Sequence, residues 1–376
     1  MAALKITSGN ELTLDTGRGE CFAIHPLWLR ERCRDAGSID LHTGQRLYDP
    51  SDLPLDLQLA AVSETSPGRY RVAFSDGHEA EFAGEDILHE YSLAPGDHDC
   101  PAPQLWDATL RTLPRAKWPA GGAVEPRPEW IEAFLQLGFI ILEGVPTAPG
   151  SVLEAAATFG FVRATNFGAL FDVRSVPDAT DLAYTPVPLD AHTDNPYRDP
   201  VPGIQLLHCL VNETSGGLST LVDGFAVAAH LKATDPDAFH ILAHTPVRYR
   251  YRDAATELVA SAVPIDLDVT GRLRSVHFSP RLDFVPLRAP AQLRAYYRAR
   301  RTFDQLLRSP QFEIRFLLNA GDLVMFDNRR LLHGRTGFDP AEGVRHLQGC
   351  YIDIDALRSW HRVLRRRSQA HAGRQA

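Results

Sequence analysis

No stretch of this 376-residue chain approaches the roughly 18 uninterrupted apolar residues of a membrane-spanning helix. The first twenty residues, MAALKITSGNELTLDTGRGE, lack the apolar block of a secretory signal. Neither membrane insertion nor export by a standard signal is expected, and the cytoplasm is the expected location. Cysteine is sparse, with five residues at 21, 33, 100, 209 and 350, odd in number and unclustered. That fits reduced thiols better than a disulfide framework. Positive charge is not in excess: the formal net charge is −8, which argues against a nucleic-acid partner. Internal repeats and extended low-complexity segments are absent as well. The one locally basic stretch, with Arg362, Arg365, Arg366 and Arg367, reads as a solvated helix end fraying into a disordered tail at 369–376.

What is present is globular. Hydrophobic residues make up 44% and charged residues 23% of the chain, and the length suits one large domain plus a small one. Residues 1–95 read as a small β-rich domain. Its clearest signature is a hairpin in which Arg69–Phe74 alternates apolar and polar residues, turns at 75–78, and continues through Glu79–Phe82. Prolines and glycines over 96–128 suggest a linker. Residues 129–368 then carry Phe139–Leu142, Ile204–Leu210, Ser219–Val222, Val247–Tyr251, Phe312–Leu317 and Leu323–Phe326 as short β segments. Two helices, Gly224–Thr234 and Pro290 to about Leu307, interrupt them, and Asp355–Arg367 reads as one more. Short strands separated by turns, with helices packed outside, suggest a β-sandwich or jelly-roll core.

The segment LDAHTDNPY places His192 and Asp194 two residues apart. On an extended segment such residues share one face and can converge on one ion. His333, after Leu323–Phe326, is the best third ligand. Two histidines and a carboxylate on one face of an octahedron make the facial triad of non-haem Fe(II) oxygenases, with three positions open. A 2-oxo acid can fill two of these and leave one for O₂. Its distal carboxylate then needs a buried cation with bidentate geometry, for which Arg345 is the candidate. The Ser219 hydroxyl could share that carboxylate.

Through HPLWLRERC (residues 25–33), DLAYT, HTD, PGIQLLHCL, GGLSTLVDG, FDNRRLLHGR and RHLQGCY, the chain resembles the γ-butyrobetaine/trimethyllysine hydroxylase branch of the Fe(II)- and 2-oxoglutarate-dependent dioxygenases, relatives of the taurine dioxygenases. The resemblance covers nearly the whole chain. It implies a mainly β fold with flanking helices: a double-stranded β-helix (jelly-roll) core with iron at its mouth, preceded by the small β-rich domain. It also implies His192, Asp194 and His333 as iron ligands and Arg345 as the 2-oxoglutarate anchor, with ascorbate as reductant. An aromatic cage for the substrate's trimethylammonium group falls on Phe167, Phe171, Tyr184 and Tyr351. A quaternary ammonium cannot donate a hydrogen bond, so aromatic faces are its natural partners.

The chain departs from this family in two places. A structural zinc common in the family's small domain would fall on Cys33, Asp35, Ser38 and His78, a poor closed tetrahedral set, so no structural zinc is expected. At the substrate's far end stands Asp181, which would suit an ammonium and repel a carboxylate, while Arg281 and Arg198 could meet an anion. Tyr197 follows the H-x-D pair on the lip of the site. The expected activity is hydroxylation of an unactivated C–H bond in a small trimethylammonium compound of the γ-butyrobetaine type. Alternatives are 2-trimethylaminoethylphosphonate or trimethyllysine as substrate, then a taurine- or sulfonate-type dioxygenase, then a non-catalytic metal-binding sensor. A homodimer is the assembly usual among such relatives.

Overall fold

A computed structural model describes residues 3–7, 11–17, 19–92, 100–174 and 185–372. The chain divides into two compact units, residues 1–97 and 98–376. No helix among the described residues is long and apolar enough to cross a membrane.

In the first unit, β1 (Ala3–Ile6), β2 (Leu12–Asp15) and β3 (Cys21–Ala23) form one antiparallel sheet, followed by α1 (Pro26–Arg30). A second sheet is a meander of β4 (Leu59–Ser66), β5 (Arg69–Phe74) and β6 (Glu79–Ala83), with α2 (Gly84–Ser92) closing the unit. The expected hairpin is β5–β6. Tyr70, Val72 and Phe74 turn inward, and Gly77 takes the left-handed turn position at φ 85°. The four positions weighed for zinc do converge, with ligand atoms of Cys33, Asp35 and His78 within 4.8 Å of one another. They are occupied with each other. His78 Nε2 lies 3.0 Å from Asp35 Oδ2 and 3.2 Å from Ser38 Oγ, while Arg30 donates to the same hydroxyl. Burial pushes the Cys33 thiol up to about 11, so it keeps its proton.

The second unit begins earlier than the proline-rich composition suggests. The expected linker is instead a strap on this unit. The Trp106 ring is buried and donates to Leu137 O, Ala108 N–H donates to Gln311 O, and β7 (Arg115–Lys117) pairs in parallel with β8 (Phe139–Glu143). Between β7 and β8 runs α3 (Pro128–Leu137), which Gly138 stops at φ 81°. After β8 come α4 (Ser151–Phe159), β9 (Phe171–Arg174), β10 (Leu189–His192), β11 (Ile204–Asn212), β12 (Ser219–Asp223) and α5 (Gly224–Thr234). An excursion follows through α6 (Pro236–His244), the strands β13 (Val247–Arg252), β14 (Glu257–Ala262), β15 (Ile265–Leu267), β16 (Leu273–Val276) and β17 (Asp283–Phe284), and α7 (Pro290–Leu307). The chain returns through β18 (Glu313–Phe316), β19 (Leu323–Asp327), β20 (Leu331–Arg335), β21 (Arg345–Ile352) and α8 (Ile354–Ala372).

Two sheets carry the core, one of six strands ordered β7-β8-β19-β11-β21-β9 and one of four ordered β10-β20-β12-β18. Strand periodicity sorts their side chains into three layers. Phe139, Ile141, Val324, Phe326 and Leu347 from the larger sheet meet Leu221, Ile314, Phe316 and Leu331 from the smaller one. The alternate residues Ile140, Leu142, Leu323, Met325, Cys350 and Ile352 pack under α3, α4 and α8. Val222 and Leu332, on the outer face of the smaller sheet, pack against α5, α6 and α7. Strands buried on both faces read as continuous apolar runs, which is why FIILE shows no alternation.

Three expectations change. Val247–Tyr251 belongs not to the core sheets but to a separate sheet, β14-β13-β17. A further helix, α6, lies within the excursion, started by Asp235, whose carboxylate accepts from Ala238 N–H, with Pro236 in the first turn. The last helix runs to Ala372, into the expected tail.

Candidate active site

The edge strand β10 lies against β20 with His192 and His333 as direct cross-strand partners. Their imidazoles therefore lie side by side, ring centroids 4.4 Å apart. Asp194 is not on the strand, which ends at His192, but on the bend after it. Its backbone is gripped from both sides by Asn328, whose Oδ1 accepts from Asp194 N–H at 2.7 Å and whose Nδ2 donates to Asp194 O at 3.0 Å. Asn195 then takes φ 53°, a left-handed position that asparagine tolerates, and turns the chain away. The result aims Asp194 Oδ1 at both histidines, 3.4 Å from His192 Nε2 and 3.9 Å from His333 Nε2.

This donor set fits a divalent iron. The His192 Nδ1–H donates to Asp190 O at 2.8 Å, which leaves the Nε2 lone pair for a metal. Burial pushes His333 down to about 3, so its ring is the neutral form that coordinates. Burial opposes ionisation of Asp194, but His333, His192 and the Tyr351 hydroxyl outweigh it and hold the carboxyl well below the usual range. Two imidazoles and one carboxylate converge, and a cavity of about 170 Å³ opens in front of them.

At one end of that cavity stand two buried arginines. Alternation along β21 turns Arg345, Leu347 and Tyr351 into the cavity. Alternation along β20 does the same for His333 and Arg335. Arg345 donates to Gly217 O at 3.0 Å, and Arg335 donates to Thr185 O and Val187 O at 2.6 and 2.9 Å. Each keeps a buried Nε–H without an acceptor, and neither meets a carboxylate among the described residues. Burial lowers both, and with the charge of Arg345 added it pushes Arg335 down to about 10. Two unpaired buried cations are costly, and a bound anion offsets that cost. Gly217, at φ 66°, is required here, because a Cβ would lie 2.7 Å from Arg345 Nε.

The other end is aromatic. Phe171 lies 5.2 Å from Tyr351, and Tyr251 lies 5.5 Å from Phe167 and 5.1 Å from Tyr197, centroid to centroid. Gly349 faces Phe171 across β21 and β9, where a Cβ would meet the ring at 2.5 Å. Only a residue without a side chain admits Phe171 beside Tyr351.

The family model described as "Taurine catabolism dioxygenase TauD, TfdA family" matches residues 114–351. The chain belongs to this family. Among its relatives is the γ-butyrobetaine dioxygenase of Pseudomonas sp. strain AK-1, 40% identical over 97% of this chain and 96% of that one. The human γ-butyrobetaine dioxygenase is 34% identical over 64% of this chain and 63% of its own. The trimethyllysine dioxygenase of Meyerozyma guilliermondii is 27% identical over 92% of each. In fold, this TauD-family chain is similar to PvcB from Pseudomonas aeruginosa, with TM-score 0.50 and 21% identity over 67% of this chain and 91% of that one. Like its relatives, the protein is a dioxygenase.

Of the residues expected in the site, His192, Asp194, His333, Arg345, Ser219, Phe167, Phe171, Tyr351, Tyr197 and Arg281 all line the cavity. Arg198 does not. Its guanidinium turns to Asn166 and lies over the Tyr197 ring. Asp181 and Tyr184 lie outside the described residues. Among the lining residues that escaped sequence reasoning, Arg335 and Tyr251 matter most. Arg335, two past His333 in the quoted HGR, shares its strand face and was findable by period. Tyr251 arrives from the excursion, and only its aromatic-rich strand, VRYRYR, hinted at it.

Proposed function

We propose that this dioxygenase hydroxylates an unactivated C–H bond of a small trimethylammonium compound of the γ-butyrobetaine type. Fe(II) would be held by His192, Asp194 and His333, and 2-oxoglutarate would be the co-substrate, with ascorbate as reductant. The observation that carries this reading is the aromatic wall beside the metal-ligand group, an arrangement suited to a cation that cannot hydrogen-bond. A desolvated aromatic face contributes up to about 2 kcal/mol to holding such a cation. The two-sheet core with the triad at one end is read as a jelly roll.

Iron held by these three side chains would supply O₂ activation, with O₂ as the four-electron oxidant: two electrons from 2-oxoglutarate, which would leave as succinate and CO₂, and two from the C–H bond that becomes C–OH. The chain does the rest. Arg345 binds the distal carboxylate of 2-oxoglutarate with help from Ser219. Phe171 and Tyr351, with Phe167 and Tyr251, hold the trimethylammonium head so that one carbon faces the metal. Misplacing it by 1 Å can cost about 100-fold in rate.

The test is succinate release and product mass with γ-butyrobetaine, trimethyllysine, 2-trimethylaminoethylphosphonate and taurine. A gain of one oxygen on a trimethylammonium compound, lost in His192→Ala and Asp194→Ala, is the expected result. Turnover of taurine alone would overturn it. A second reading, 2-trimethylaminoethylphosphonate as substrate, is favoured by Arg281, a cation at the cavity mouth without a carboxylate partner among the described residues.

A further inference from the structure

Tyr351 stands at a junction that the cage role does not explain. Its side chain is buried, and its hydroxyl donates to Asp194 Oδ2 at 2.8 Å. Oδ1, the other oxygen of the same carboxylate, is the one that points at both histidines. The Asp194 main chain is already held on both sides by Asn328, which leaves the side-chain torsions to orient the carboxylate. The Tyr351 hydroxyl removes that freedom too. We infer that Tyr351 is a positioning residue that restricts Asp194 to a single coordinating oxygen. It thereby keeps open the positions that 2-oxoglutarate and O₂ must share.

A carboxylate can bind a metal through one oxygen or two, and a hydrogen bond to the second oxygen selects the first mode. Without it, Oδ2 is free to turn onto the metal and compete with one arm of the 2-oxo acid. One side chain would then do two jobs, its ring face turned to a cation and its hydroxyl to a metal ligand. The phenyl ring of Tyr351→Phe keeps the first job and loses the second. This inference rests on the metal assignment above but not on the identity of the substrate.

The test uses the full chain loaded with Mn(II) or Co(II), without O₂ turnover. For Tyr351→Phe, the metal-free protein should still fold cooperatively, with its melting temperature lowered only by the loss of one hydrogen bond to the Asp194 carboxylate. 2-Oxoglutarate affinity for the Mn(II) form should fall on the order of 10-fold. The visible spectrum of the Co(II) form should report a changed coordination number. γ-Butyrobetaine binding should move by less than about 3-fold, since the ring face remains. Tyr351→Leu is the second variant and must reproduce the loss of 2-oxoglutarate binding and add a loss of γ-butyrobetaine binding. Unchanged 2-oxoglutarate affinity together with an unchanged Co(II) spectrum in either folded variant overturns the inference. Failure of the wild-type Mn(II) form to bind 2-oxoglutarate instead overturns the functional reading, and the Co(II) spectrum still decides the role of Tyr351.

Discussion

Arg330→Met should be the costliest single change outside the cavity. The Arg330 side chain is 3% exposed and its partner Asp223 is fully buried. The guanidinium makes four hydrogen bonds: to Asp223 Oδ1 at 3.1 Å and Oδ2 at 2.7 Å, to Gln136 O at 2.7 Å and to Gln104 O at 2.6 Å. Methionine replaces the volume and none of the donors. Among the described residues, Asp223 would keep the N–H groups of Trp106 and Phe225. Leaving one member of a buried ion pair uncompensated costs roughly 3–5 kcal/mol. In a unit this large that lowers the melting temperature by roughly 6–10 °C. Scanning calorimetry of the two proteins measures the shift. Adding Asp223→Asn, which keeps an acceptor for the helix cap and removes the stranded charge, should restore more than half of it. A single-variant shift under about 2 °C, or a double variant as unstable as the two singles added together, would refute the reasoning.

Three further outcomes are expected. Gly217→Ala forces a Cβ at positive φ against Arg345, so the KM for 2-oxoglutarate should rise at least about 10-fold while metal affinity holds; an unchanged KM would remove Arg345 from the co-substrate site. Burial pushes His208 and His277 down to about 4 from an ordinary 6.5, so the folded state keeps both neutral where the unfolded chain takes up protons. That stabilisation is complete above pH 6.5 and is lost as pH falls towards 4, worth roughly 3 kcal/mol for each ring; the urea midpoint should drop between pH 7 and 5, and a flat profile would falsify the assignment. Metal analysis of protein supplied with both iron and zinc should find one metal per chain, removed by His192→Ala, and a second equivalent of zinc would show that Cys33, Asp35 and His78 bind it after all.

Much of the second unit was legible because its strands and helices obey clear periods. The bounds expected for Gly224–Thr234 and Pro290–Leu307 are those observed. The triad was legible too, although by a different geometry: Asp194 reaches the histidines from a bend that Asn328 shapes, not from a shared strand face. Three things resisted. Residues 96–128 read as a linker because prolines and glycines suggest freedom, whereas two buried tryptophans, Trp106 and Trp118, anchor the described part of it. α6 passed unnoticed since its capping signal follows directly on the end of α5. Tyr251 was no more than hinted at by VRYRYR, because the excursion that brings it to the cavity is a matter of tertiary packing, which no local pattern encodes.

The pairing of His192 with His333 also bears on when iron can arrive. β10 is made early and β20 late; of the two residues that hold Asp194, Asn328 comes just before β20 and Tyr351 after it. A chain emerging from the ribosome therefore offers iron two donors with nothing to orient them, until β21 has closed the larger sheet. A slip of one residue between β10 and β20 would turn His333 to the opposite face and split the ligand set. The strand register is thus a condition for the ligand set itself: only the pairing of His192 with His333 brings both imidazoles to the face that Asp194 reaches.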